Sequence, residues 1–155
     1  MKELLALLSE KHLTIGSVES MTGGLFASTF TDVPGASKVF KGSIVTYASS
    51  VKEKVVGVKV ETIKKYSVVS SEVAEEMARN GLKLLDVDIC ISVTGNAGPT
   101  CEPGEEPVGS VYLGLMIKEK YYEKHLKLAG NRSIIRLNTF FAMRDFILEK
   151  VRADF

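Results

Sequence analysis

Val87 to Val93 is a compact apolar run within a chain of 155 residues, and it constrains the fold more than any other segment. It reads as a strand buried on both faces, and such a strand needs a layer above and a layer below. The neighbouring patterns supply them. Lys2 to Lys11 sets Leu4, Leu5, Ala6, Leu7 and Leu8 at helical spacing, giving an amphipathic opening helix. Leu13 to Val18 reads as a short strand ending at Glu19-Ser20, and after Thr22-Gly23-Gly24 the segment Leu25 to Thr31 reads as a helix. Asp32-Val33-Pro34-Gly35 stops that helix, because proline and glycine punctuate elements. Val39 to Tyr47 is rich in β-branched and aromatic residues and reads as a second strand. Two short helices follow, around Ser50 to Val56 and Val60 to Tyr66. A longer one starts at Ser70 or Ser71, with Val73, Met77 and Leu84 among its apolar positions; a serine followed closely by carboxylates is a helix-start signature.

Beyond the buried strand, Thr94 to Pro107 holds three glycines and three prolines and reads as a loop. Val108 to Ile117 and Tyr122 to Leu128 read as an antiparallel hairpin turning at Glu119-Lys120. A last helix spans about Ser133 to Lys150, with Ile134, Ile135, Leu137, Phe141, Phe146 and Ile147 feeding the core. Strands and helices alternate first and a hairpin closes the set. That order predicts an α/β protein: a three-layer α/β/α sandwich whose mixed, mostly parallel sheet is closed by an antiparallel hairpin. No repeat, low-complexity tract or linker divides the chain, so residues 1–155 read as one domain.

Twenty basic residues oppose nineteen acidic ones, for a formal net charge of +1. That balance builds no broad positive field, so bulk nucleic-acid binding is excluded while a local basic pocket for one phosphate is not. Cys90 reads as a small buried hydrophobe and Cys101 sits in the turn-rich loop, so the two do not suggest a disulfide framework. Together with the distant His12 and His125 they make a poor zinc site, and no metal is expected. The opening Met1-Lys2-Glu3-Leu4-Leu5 is not a signal peptide. No stretch approaches the ~20 apolar residues of a membrane-spanning helix. The expectation is a cytoplasmic protein without a membrane partner.

Four motifs carry candidate chemistry. Val18-Glu19-Ser20-Met21-Thr22-Gly23-Gly24 lies at a strand-to-helix junction, where open α/β proteins bind ligands. Backbone N–H groups there can stabilise an anion or a developing oxyanion, and Gly23 and Gly24 let a ligand approach closely. On this segment alone, Ser20 or Thr22 reads as a plain helix cap. Next come Tyr47 and Lys52, beyond the second strand; a buried lysine with a lowered pKa can serve as the base for a serine nucleophile. Lys54 and Lys59 fit a solvated role, and spacing alone does not choose among the lysines. Thr94-Gly95-Asn96-Ala97-Gly98-Pro99 resembles a backbone nest for an anion, with Thr94 offering a hydroxyl, although a plain turn cluster fits as well. Last, Gly130-Asn131-Arg132 precedes the final helix, and Arg136 follows one turn later. A guanidinium fork suits phosphate or carboxylate, and for Arg136 a surface role is equally open.

The order of these motifs resembles one family along nearly the whole chain. Glu19-Ser20-Met21-Thr22-Gly23-Gly24, Val45-Thr46-Tyr47 with Lys52 and Gly57-Val58, Val69-Ser70, Thr94 to Pro99, Glu106-Pro107-Val108-Gly109 and Gly130-Asn131-Arg132 are similar to the CinA C-terminal domain, also known as the nicotinamide-nucleotide amidohydrolases. The resemblance implies a hydrolase converting nicotinamide mononucleotide and water to nicotinic acid mononucleotide and ammonia, without metal or cofactor. It places the nucleophile on Ser20 and the base on Lys52. It sets Tyr47 beside them, with Thr22, Gly23, Gly24, Thr94, Gly95, Ala97, Gly98 and Arg132 around the substrate. Many relatives carry a further N-terminal domain, and the expectation for residues 1–155 is the amidohydrolase domain alone; family members often self-associate, so the resemblance implies a homo-oligomer.

The sequence departs from the family pattern at Val18 and Met21, at Asn96, at Asn131, and in Thr100-Cys101-Glu102-Pro103, where the family has a glycine tract. These changes bear on the shape of the pocket more than on its chemistry. The mechanism expected has neutral Lys52 taking the Ser20 proton, backbone N–H groups near Thr22 and Gly23 holding the oxyanion, and Glu19 pointing elsewhere to order the junction. Arg132 and the loop from Thr94 to Gly98 would grip the phosphate. Two alternatives stand beside it: a catalytically silent nucleotide-binding module of the same fold, and an amidase for another small amide.

Overall fold

The computed structural model describes all 155 residues. Five strands form one open sheet in the order β2-β1-β3-β4-β5: β1 Ile15–Glu19, β2 Phe40–Val45, β3 Ile89–Gly95, β4 Ser110–Ile117 and β5 Lys120–Lys127. Strand β1 pairs in parallel with β2 and β3, and the remaining two pairings, β3 with β4 and β4 with β5, are antiparallel. Six helices accompany them: α1 Lys2–Glu10, α2 Leu25–Thr31, α3 Ser49–Lys54, α4 Val60–Tyr66, α5 Ser71–Leu85 and α6 Arg132–Asp154. A single 3-10 turn, Ala36–Lys38, leads into β2.

The strand alternation divides the core. Ile15, Ile89, Ile91 and Val93 face the layer built from α1, α2 and α6, where they meet Leu4, Leu8, Phe26, Phe30, Phe140 and Phe146. Val18 and Cys90 face the opposite layer and meet Val73 and Met77 of α5. The strand Ile89–Gly95 is therefore covered on both sides, as its apolar run predicts. Asp88, the polar residue at its start, is explained by its partners: Asp88 Oδ2 accepts from both the N–H and the hydroxyl of Thr14 at 2.8 Å, tying β3 to β1 at the amino edge. Ser70 caps α5 by accepting from Val73 N–H, and Asn131 caps α6 by accepting from Ile134 N–H at 2.9 Å.

Four details differ from the sequence expectation. Thr94 and Gly95 belong to β3 rather than to the following loop, because their backbones stay in register with Tyr112 and Val111 of β4. The hairpin turns at Lys118-Glu119, one residue earlier, with Lys118 at a φ of 54°. Helix α6 continues to Asp154. Its buried stripe is Ile135, Thr139, Phe140, Met143, Phe146, Ile147 and Val151, so Ile134, Leu137 and Phe141 face outward instead of feeding the core, as does Leu84 of α5. A long helix lying on one face of a sheet buries one stripe only, and its other apolar positions stay wet.

Helix α5 approaches the sheet so closely that only glycine fits at its contact point. A Cβ on Gly81 would lie 2.4 Å from Val18 Cγ2 and 2.7 Å from Cys90 Sγ. Alanine there gains about 1 kcal/mol of helix propensity, but overpacking a dense core costs about 1–3 kcal/mol. Both neighbours are fully buried and have nowhere to move, so the steric effect should win. Gly81→Ala is expected to lower the urea midpoint with an unchanged m-value; an equal or higher midpoint would mean that α5 can back away from the sheet.

Candidate active site

Strands β1, β2 and β3 run in the same direction and end at the same edge, which brings Glu19, Val45 and Gly95 together. Ser20 is the first residue beyond β1, and the turn Met21 to Gly24 carries the chain into α2. Gly23 and Gly24 adopt φ values of 60° and 96°, a region that residues with a Cβ seldom enter. Thr46 N–H donates to Glu19 O at 2.7 Å, extending the ladder by one residue and fixing the level at which Tyr47 leaves the sheet.

Neither Ser20 nor Thr22 caps α2. The N-cap position is Gly24, which has no side chain to offer. The capping group is the carboxylate of Glu19, which accepts from the N–H groups of Phe26 and Ala27 at 3.1 and 3.2 Å. It also accepts from the hydroxyls of Thr22 at 2.7 Å and Ser43 at 3.1 Å, and Ser43 Oγ in turn accepts from the Ser17 hydroxyl at 2.8 Å. Glu19 is wholly buried and has no cationic partner. Its role as an organiser of the junction was expected; its capping of α2 from seven residues upstream was not, because capping rules look only at residues adjoining the helix.

The Ser20 hydroxyl is left for Lys52. Lys52 Nζ lies 2.9 Å from Ser20 Oγ, 2.6 Å from Thr46 O and 3.5 Å from Tyr47 O. The lysine is 1% exposed and forms no ion pair, and burial lowers its pKa from 10.5 to about 8. Lys54 and Lys59 are exposed. Of the three lysines, only Lys52 turns inward, from the middle of α3.

A cleft of about 300 Å³ opens over this pair, lined by Met21, Tyr47, Val69, Thr94, Asn96 and Arg132 among others. No Asp or Glu lines it, whereas Lys52 and Arg132 do. Tyr47 is 65% exposed at the mouth; its carbonyl faces Lys52 and its hydroxyl accepts from Arg132 Nη2 at 3.2 Å. Arg132 Nη1 donates to Gly98 O at 2.7 Å, so this guanidinium bridges the two walls of the cleft with three N–H groups to spare. The nest reading of the loop is largely corrected. Asn96 N–H donates to Ser110 O at 3.0 Å and Gly98 N–H donates to Asn96 Oδ1 at 2.9 Å, leaving only the Ala97 N–H of these three. Thr94 is buried, and its hydroxyl donates to Val68 O at 2.9 Å, so its proton holds the 67–70 segment against the sheet. Gly95 allows close packing, since a Cβ there would lie 2.7 Å from Val111 Cγ2. Asn96 Nδ2 also donates to Glu106 O at 3.2 Å, which makes this departure from the family pattern a latch between loops.

Backbone donors near Ser20 also differ from expectation. Gly23 N–H is committed to Ser20 O at 3.0 Å, while the N–H groups of Met21 and Thr22 have no acceptor within the protein. Arg136, for which phosphate recognition and a surface role were both open, takes neither. Its Nε donates to Met21 O and its Nη2 to Thr22 O, each at 2.9 Å. No three His, Cys, Asp or Glu side chains gather closely enough to hold a metal ion, and no helix is long and apolar enough to cross a membrane.

The fold and this cleft define an open three-layer α/β protein with a buried serine–lysine pair at the carboxyl edge of its sheet. Residues 1–151 match the family model described as the CinA C-terminal domain, and the chain belongs to that family. A CinA-like protein of Dictyoglomus turgidum is 47% identical over 133 residues, covering 86% of this chain and 32% of that protein. A CinA-like protein of Dictyoglomus thermophilum is 45% identical over 141 residues, covering 91% and 34%. The chain thus spans about a third of the length of these curated relatives. Among solved structures, the competence/damage inducible protein CihA from Agrobacterium tumefaciens superposes with a TM-score of 0.92 at 29% identity, covering 96% of this chain and 91% of that one.

Replacing Glu19 by Gln would set an amide N–H₂ against hydroxyl and N–H donors that now find an acceptor. An unsatisfied buried donor costs about 1–3 kcal/mol. Glu19→Gln is expected to lower stability in urea by that amount. Stability equal to wild type would show that the carboxylate does not hold the junction.

Proposed function

We propose that this chain is an amidohydrolase acting on nicotinamide mononucleotide, releasing ammonia and nicotinic acid mononucleotide. The observation that carries the reading is Lys52 Nζ, 2.9 Å from Ser20 Oγ in a site with no carboxylate to keep the lysine charged. A neutral amine has two N–H donors and one lone pair. The two donors suit Thr46 O and Tyr47 O, and the lone pair then faces the Ser20 hydroxyl. Ser20 Oγ attacks the carboxamide carbon as its proton passes to Lys52. The tetrahedral oxyanion takes the free N–H of Met21, a residue that lines the cleft, and Lys52 returns the proton to the departing nitrogen as ammonia. Water, deprotonated by the same lysine, then cleaves the acyl-serine.

The substrate class rests on the family resemblance and on the cleft. Its volume is at the small end of the range of about 300–1,000 Å³ for ligand sites, which suits a mononucleotide better than a dinucleotide. Its charge suits a phosphate. Arg132 takes that phosphate with the N–H groups it does not spend on Gly98 and Tyr47.

The first test is ammonia release from nicotinamide mononucleotide. Ser20→Ala should abolish it, and Lys52→Ala should reduce it by about 10²–10⁴-fold. Ammonia release that persists in Ser20→Ala, or normal turnover in Lys52→Ala, would overturn the mechanism. Binding of the mononucleotide with no ammonia released would assign the chain to the silent binding module instead.

The lysine also sets a pH profile. Its neutral form is the active base and grows as pH rises toward its pKa of about 8. The kcat/KM of the wild type is expected to climb through pH 7, bend near pH 8 and level off above it. A profile flat from pH 6 to 9 would remove Lys52 from the role of base. For Arg132→Ala, a higher KM for the mononucleotide with kcat much less affected is the expected result, and an unchanged KM would sink the phosphate assignment.

A further inference from the structure

We propose that Asn96 is a positioning residue for Arg132: through Gly98 it fixes where the guanidinium meets a substrate phosphate, a role that rests on the reading of the cleft above. The backbone of residues 97–99 makes only two hydrogen bonds, and both are to side chains. Gly98 N–H donates to Asn96 Oδ1 at 2.9 Å, and Gly98 O accepts from Arg132 Nη1 at 2.7 Å. Pro99 has no N–H to offer, and the Ala97 N–H is free. Asn96 itself is held at its root and at its tip. Its N–H donates to Ser110 O at 3.0 Å, its carbonyl accepts from Gly109 N–H at 2.8 Å, and its Nδ2 donates to Glu106 O at 3.2 Å. The Glu106 carboxylate is anchored in turn by the hydroxyls of Ser110 at 2.8 Å and Tyr112 at 3.2 Å.

A side-chain oxygen that accepts from the N–H two residues on makes an Asx turn, which an apolar side chain cannot form. Gly98 is buried, so without Asn96 its N–H would be left unsatisfied. The segment would then keep one polar tie, and that tie is the carbonyl on which Arg132 rests. Helix α6 fixes where the Arg132 side chain starts; Gly98 O and Tyr47 OH fix where it ends. Of those two posts Tyr47 is the looser, being 65% exposed at the mouth. Gly98 therefore carries most of the constraint, and Asn96 supplies it. The effect is confined to the phosphate end of the cleft, because Asn96 makes no hydrogen bond to Ser20 or Lys52.

The test is calorimetric titration with nicotinamide mononucleotide and with nicotinamide riboside, which lacks the phosphate, in a Ser20→Ala background that prevents turnover. Asn96→Leu keeps the side-chain volume and loses both amide bonds; Asn96→Ala carries the same comparison if the leucine variant does not fold. One net hydrogen bond corresponds to a factor of about 2–12 in affinity, so mononucleotide binding should weaken about 3–10-fold while riboside binding stays within about twofold. In an Arg132→Ala background, Asn96→Leu should weaken the mononucleotide no further, because residues that act as one unit are not additive. An equal loss for the riboside, a loss that adds in full to that of Arg132→Ala, or an unchanged mononucleotide affinity would overturn the proposal. A parent protein that binds neither ligand, or that binds the mononucleotide as well after Arg132→Ala, would overturn the phosphate assignment and this role together. If the wild type released no ammonia, yet the affinities followed the expected pattern, the amidohydrolase reading would fall and the role of Asn96 would stand.

Discussion

A wholly buried carboxylate with no cation beside it holds the end of the first strand, the turn and the second helix in one arrangement. Glu19 accepts from two helical N–H groups of α2 and from the hydroxyls of Thr22 in the turn and Ser43 in β2, with Ser17 of β1 donating to Ser43 behind them. A buried charge or acid is tolerable only when its oxygens are satisfied, so the sequence has to gather donors around it. The hydroxyls of Ser17, Thr22 and Ser43 are that supply. The turn's path follows from this, and with it the position of Ser20. Had an apolar residue stood at position 19, α2 would begin without a capping acceptor and the turn would have fewer fixed points.

The same carboxylate must be kept from the lysine. Glu19 and Ser20 are adjacent in sequence, but successive strand side chains point to opposite sides. Glu19 turns toward α2 while Ser20 turns toward α3 and Lys52. Lys52 therefore meets a hydroxyl and two carbonyl oxygens instead of an acid. A carboxylate at that distance would raise its pKa and remove the lone pair that the chemistry needs. Burial acts in the opposite direction, and it acts alone. The alternation of one strand thus separates the acid that builds the site from the base that works in it.

How much of this was legible in the sequence depends on the range of the interactions. Local signals carried the element order: the glycine pair after Ser20, the Asp32-Val33-Pro34-Gly35 stop and the Ser70 cap all fell where they were read. The layering followed from the apolar run of β3, and the CinA family assignment from the order of its motifs. What the sequence did not reveal is which partner each polar side chain chooses. Lys52, Lys54 and Lys59 are alike on paper; only the phase of α3 buries the first. Thr94 looks like a free hydroxyl until Val68 is brought beside it, and the backbone of Asn96 looks like an anion nest until Ser110 is. The departures at Asn96 and Asn131 read as changes to the pocket, yet one latches two loops and the other caps α6. Each of these choices is made by residues distant in sequence, and no periodicity encodes them.

Helix α6 shows how a core can set the accuracy of a surface site. Arg132 and Arg136 lie four residues apart, so they share a side of the helix, but they serve different structures. The first bridges Tyr47 and Gly98 at the mouth of the cleft, while the second holds the carbonyls beneath the Ser20 turn. Between and beyond them, Ile135, Thr139, Phe140 and Met143 are buried against the sheet. A slip or rotation of α6 would have to move that packed stripe, and close-packed interiors resist such motion. The guanidiniums therefore inherit their positions from apolar contacts that never touch the cleft. A loop could place one arginine well, but holding two on different levels of one site requires an element whose pitch is fixed, and here that element is anchored by its own buried face.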